Sequence, residues 1–81
     1  MNGSKAREQA TDQLEVCWRV TTASGFRFAC CLYRSGRQVE ARLTLGEATV
    51  VDSRTVATRD CACELAHRWL RAVIARHRAW S

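Results

Sequence analysis

Residues 14–45, LEVCWRVTTASGFRFACCLYRSGRQVEARLTL, decide the fold. Leu14, Val16, Trp18 and Val20 alternate with Glu15, Cys17, Arg19 and Thr21. Such alternation of β-branched and aromatic residues with polar ones predicts a strand with one buried face. Phe26, Phe28, Cys30 and Leu32 repeat the pattern against Arg27, Ala29, Cys31 and Tyr33. Val39, Ala41, Leu43 and Leu45 repeat it again against Glu40, Arg42 and Thr44. Gly25, Gly36 and Gly46 follow or separate these runs, and glycine supplies the positive φ of tight hairpin turns. Connections this short join only antiparallel neighbours, so the three strands form a meander.

Downstream, residues 48–56, ATVVDSRTV, predict a weaker fourth strand. Asp52 and Ser53 interrupt its apolar run, the pattern of a bulged or edge strand. Thr58 then fits a helix N-cap, and Asp60 places a negative charge in the first turn, where the macrodipole favours it. The helix is expected to run to about His77 or Trp80. At 100° per residue, Ala62, Ala66, Trp69, Val73 and Trp80 share one side, flanked by Leu65 and Leu70. Asp60, Glu64, His67, Arg68, Arg71, Ala75 and Arg78 share the other. Glu64 precedes Arg68 by one turn, in the favourable orientation for an ion pair.

The fold class is therefore α+β: an antiparallel meander of three to four strands, then one C-terminal amphipathic helix packed on one sheet face. Trp18, Phe26, Phe28, Leu43, Trp69 and Val73 are the expected core. Residues 1–13 carry no apolar periodicity and read as a disordered tail, leaving residues 14–81 as the single domain. A domain of that size buries roughly 60% of its unfolded surface, a modest core that self-association would help to stabilise.

The chain of 81 residues has a net charge of +5, and Lys5 is its sole lysine. The tail balances Lys5 and Arg7 against Glu8 and Asp12, so the excess charge of the domain is arginine. Arginine suits bidentate recognition of phosphate and carboxylate. The abundance of alanine beside arginine is also what a GC-rich coding bias produces. Five cysteines, an odd count, and an N-terminus without a hydrophobic leader segment argue against a secreted disulfide scaffold. No apolar run approaches the ~20 residues of a membrane span. The expectation is a cytoplasmic protein with reduced thiols and no membrane partner.

Catalytic and metal signatures are weak. Cys61 and Cys63 are two apart on a helix and diverge by about 200°, so they cannot chelate one ion together. Cys30 and Cys31 face opposite sides of a strand. Neither pair has the C-x-x-C spacing of zinc or thioredoxin-like sites. Cys17 and Cys31 are expected on the same outer sheet face, within reach of each other. His67 and His77 are not spaced as a one-turn ligand pair. No glycine-rich phosphate loop, nucleophile elbow or paired-carboxylate pattern is present. The reading is therefore non-enzymatic, with no cofactor, no metal and no small-molecule substrate; a thiol- or metal-binding protein is a distant alternative.

Two surfaces are candidates for binding. The outer sheet face is expected to display Arg19, Arg27, Arg42 and Tyr33, a basic face with one aromatic of the kind that single-stranded nucleic acid uses. Glu15 and Glu40 are expected there too and would weaken its potential. The helix's outer face offers Arg68 and Arg71, and Trp80 near the end of the chain is a candidate interface anchor if exposed. The leading expectation is a small interaction domain that meets a protein partner or a second copy of itself as a homodimer. Nucleic-acid binding is the alternative. The order of strands and then one helix is similar in layout to small bacterial domains of the double-stranded-RNA-binding and HicB-like types, and layout alone assigns no function.

Overall fold

A computed structural model describes residues 13–78, apart from the side chain of Arg78. Four strands, β1 (Gln13–Thr21), β2 (Arg27–Ser35), β3 (Gln38–Leu45) and β4 (Thr49–Val56), precede one helix, α1 (Arg59–Arg78). The strands pair antiparallel in the order β1-β2-β3-β4, and α1 packs on β3, β1 and β4. The expected meander and its covering helix are thus present, with the fourth strand paired to β3 around one bulge. The strand β1 begins at Gln13; the rest of the expected tail lies outside the described residues, as does Trp80.

Local chemistry sets the joints. Gly36, in the turn between β2 and β3, has φ of 61°, a left-handed conformation that residues with a Cβ rarely adopt. Thr22 organises the β1–β2 turn: its carbonyl accepts from the Gly25 amide at 2.9 Å, and its hydroxyl accepts from the Phe26 amide at 3.0 Å. Thr58 is the N-cap of α1, its hydroxyl accepting from the Cys61 amide at 3.2 Å.

Small residues occupy the centre of the core. Cys30, Leu32, Ala41 and Ala62 are fully buried, and Ala66, Leu43, Val73 and Val39 nearly so. Alanines on both sides of the interface let α1 lie close to the sheet, and the larger rings close the margins. Trp18 and Trp69 are half-buried, and the Trp18 indole N–H donates to the Ala66 carbonyl at 2.8 Å. Phe26 departs from the expected core. It lies in the turn before β2, beyond the end of the sheet's regular pairing, and is 45% exposed. Its ring and that of Phe28 lie 6.0 and 5.1 Å from the His77 ring.

The largest departure is in β1. Its register against β2 shifts between Gln13 and Glu15 and again between Val16 and Trp18, so Leu14 and Cys17 are extra residues. A bulge of this kind turns the next side chain to the opposite face. Val16 consequently pairs with Cys31 on the outer face, while Glu15 pairs with Leu32 on the helix side. Cys17 packs against the core cluster beside Cys63. Strict alternation from Leu14 to Val20 had placed Val16 inward and Glu15 and Cys17 outward, and all three are reversed. β4 is bulged as its sequence suggested: the register shift against β3 makes Val51 the extra residue. Glu64 and Arg68 are not among the ion pairs of the described residues. No helix of the described residues is long and apolar enough to cross a membrane.

Candidate binding surfaces

Among the described residues nothing covers the outer face of the sheet, because α1 packs on the other side. Pairing in β2 and β3 places Cys31 opposite Arg42 and Tyr33 opposite Glu40. The Arg42 guanidinium lies 4.1 Å from the Tyr33 ring centroid, a cation–π stack. It also donates to the Glu40 carboxylate at 3.1 Å. That hydrogen bond raises the Arg42 pKa further above its ordinary value, and burial raises that of Tyr33. Arg19 lies across Cys31 from this group, close enough for its charge to act on the thiol.

Arg27 lies on the same face, at the end of β2, 3.7 Å from Glu47. Both side chains are largely exposed, so solvent screens the pair. The face therefore gathers Arg19, Arg27, Tyr33 and Arg42 as expected. It lacks Glu15, which the β1 bulge carries to the helix side, where its carboxylate accepts from Arg59 Nε at 2.7 Å. The sheet face is thus more basic than the alternating pattern implied.

Arg68 and Arg71 are exposed on α1. The body of the domain separates them from Arg19, Arg27 and Arg42, so the two basic groups do not form one surface. Arg68 instead borders a shallow depression with Arg54, Val56, Cys61, Glu64 and Leu65.

Two further features bear on binding, the first anticipated as a bulged or edge strand and the second not drawn from the sequence. The first is the free edge of β4. Residues 49–55 are all exposed, with Val50 and Val51 each 51% exposed. Asp52 and Arg54, on either side of Ser53, belong to none of the ion pairs among the described residues. Beside this strand, an apolar groove runs between α1 and the sheet, lined by Phe28, Leu43, Val51, Trp69, Val73 and His77 among others.

The second is a thiol cluster under the start of α1. Cys17, Cys63 and Glu15 bring their ligating atoms within 4.8 Å of one another. Cys30 lies beside Cys17, close enough for the two thiols to act on one another. Burial, reinforced by neighbouring thiols, pushes the Cys17 thiol up to about 11 and the Cys30 thiol up to about 12. The expected approach of Cys17 to Cys31 on the outer face is replaced by this cluster. The bulge, which no residue pattern in β1 announced, is the reason.

No family model matches the chain, and no curated protein or solved structure is significantly similar to it.

Proposed function

We propose that this chain is a small non-enzymatic interaction domain that works as a homodimer, joined by antiparallel pairing of β4 with β4 of a second copy. The observation that carries this reading is the self-complementary edge of β4. An edge strand presents unpaired main-chain N–H and C=O groups that a second strand can satisfy. With a two-fold axis at Ser53, Asp52 of each copy lies opposite Arg54 of the other. Two identical charge pairs result, and opposite charges on facing strands support pairing and fix its register. One four-stranded sheet becomes an eight-stranded one, with both helices on the same side and a continuous uncovered face on the other.

Five free cysteines support a reducing, cytoplasmic setting.

The test is sedimentation equilibrium on charge-reversed chains. Asp52→Arg and Arg54→Asp each place like charges across the interface and should be monomeric. An equimolar mixture of the two should form a heterodimer, since both of its pairs are complementary. The double variant should regain the homodimer. A wild-type chain that stays monomeric at millimolar concentration would sink the proposal and mean that the charges and the bulge guard the edge.

A second reading is favoured by the displacement of Glu15. The outer face retains Arg19, Arg27 and Arg42, with Glu40 paired to Arg42 and Glu47 beside Arg27, and Tyr33 and Arg42 offer planar groups for stacking. Single-stranded nucleic acid is the ligand class that uses such a face. Dimerisation through β4 would double the length of this surface.

A further inference from the structure

We propose that Cys17, Cys63 and Glu15, completed by His67, bind one zinc-type divalent cation between β1 and α1. The ligating atoms of the first three already lie within 4.8 Å of one another, so small side-chain adjustments would bring them to the corners of one coordination shell. His67 follows Cys63 by one helical turn and lines the same pocket, together with Glu15, Cys17, Trp18 and Ala66. Residues four apart on a helix share a face, so Cys63 and His67 can approach one ion together, as Cys61 and Cys63 cannot. Two thiolates, an imidazole and a carboxylate form a mixed set of nitrogen, oxygen and sulfur donors, which suits tetrahedral zinc.

The surroundings fit this role. Arg59 Nε holds Glu15 Oε1 at 2.7 Å, which orients the carboxylate while leaving its second oxygen for the ion. Binding replaces two thiol protons with one ion, so two protons leave to solvent for each ion bound, and affinity rises with pH. The site ties the edge strand β1 to the start of α1.

The test is titration of the full, reduced chain with Zn²⁺ and, as a spectroscopic probe, Co²⁺. One equivalent should bind, with proton release, and the Co²⁺ form should show thiolate-to-metal charge transfer and tetrahedral ligand-field bands. Cys17→Ser and Cys63→Ser should each weaken binding at least tenfold and reduce the charge-transfer intensity. Glu15→Gln, at a position nearer the surface, should weaken binding and keep the thiolate band, which separates ligand loss from misfolding. Cys61→Ser, at an exposed thiol outside the pocket, should bind as the wild type does. Absence of the cobalt bands, loss of them in Cys61→Ser, or a Cys17–Cys63 disulfide with no metal uptake after reduction would each overturn the proposal.

Discussion

The indole N–H of Trp18 donates to the main-chain carbonyl of Ala66 at 2.8 Å, across 48 residues of sequence. The bond joins β1, an edge strand, to the middle of α1 and fixes how the helix lies across the sheet. A half-buried tryptophan with its polar tip satisfied contributes both area and direction.

Trp18→Phe should remove the donor while retaining most of the ring. The Ala66 carbonyl still accepts its helical bond, so the cost should be about 1 kcal/mol. For a domain of this size that corresponds to a fall in Tm of roughly 4–8 °C. Trp18→Ala also removes the packed ring and should cost more, roughly 3 kcal/mol. Thermal unfolding of the two variants checks the order. Equal stability of Trp18→Phe and the wild type would mean that the hydrogen bond contributes nothing net.

Element order, the glycine turns and the Thr58 cap were legible in the sequence because each rests on local chemistry. The inward side of α1 was legible for the same reason: Ala62, Ala66 and Val73 are buried where their periodicity placed them. The facing of Glu15, Val16 and Cys17 was not. In β1 the apolar residues alternate through Leu14, Val16, Trp18 and Val20, whereas the pairing with β2 inserts Leu14 and Cys17 as extra residues. A bulge is decided by the partner strand and by the helix above it, and neither leaves a mark in the strand's own pattern. The outward facing of Tyr33 and Arg42 was read correctly, since β2 and β3 pair without a shift, and that of Arg19 because the second shift in β1, before Trp18, restores the alternation. The thiol cluster could have been found only by knowing the bulge.

Replacing Thr58 by alanine should remove the hydroxyl that accepts from the Cys61 amide. The expected cost is about 1 kcal/mol, and Thr58→Ser should restore most of it. Urea unfolding with an unchanged m-value would confirm that only stability changed. If Thr58→Ser is as unstable as Thr58→Ala, the capping hydroxyl is not the cause.

If the outer sheet face binds single-stranded nucleic acid, Arg19→Ala and Arg42→Ala should each weaken binding and make the salt dependence shallower, by roughly one counterion each. Tyr33→Ala should weaken binding by roughly 1–3 kcal/mol with the salt slope unchanged. Arg68→Ala and Arg71→Ala, on the far side of the domain, should leave both quantities as they are. Fluorescence anisotropy with labelled oligonucleotides at several salt concentrations reads all of these. Losses concentrated at Arg68 and Arg71 would move the binding surface to the helix.

The buried thiols set the alkaline limit of stability. In the unfolded chain a cysteine ionises near pH ~8.5, whereas the folded chain keeps its protons on Cys17 to about 11 and on Cys30 to about 12. Below the unfolded value both states are protonated, and the thiols contribute their full stability. Between the two values the folded state holds more protons than the unfolded one, so stability falls as pH rises. The slope approaches at most roughly 1.4 kcal/mol per pH unit for each thiol that remains protonated. Tyr33, whose pKa is also raised, adds the same sign at higher pH. Urea midpoints measured from pH 7 to 10.5 in a metal-free, reducing buffer should therefore decline above about pH 8.5. Cys30→Ala should start lower, because its side chain is fully buried, and should decline less steeply. A midpoint that holds level to pH 10 would mean that Cys17 and Cys30 ionise in the folded chain as readily as in the unfolded one, and the cluster beneath α1 would then be open to solvent.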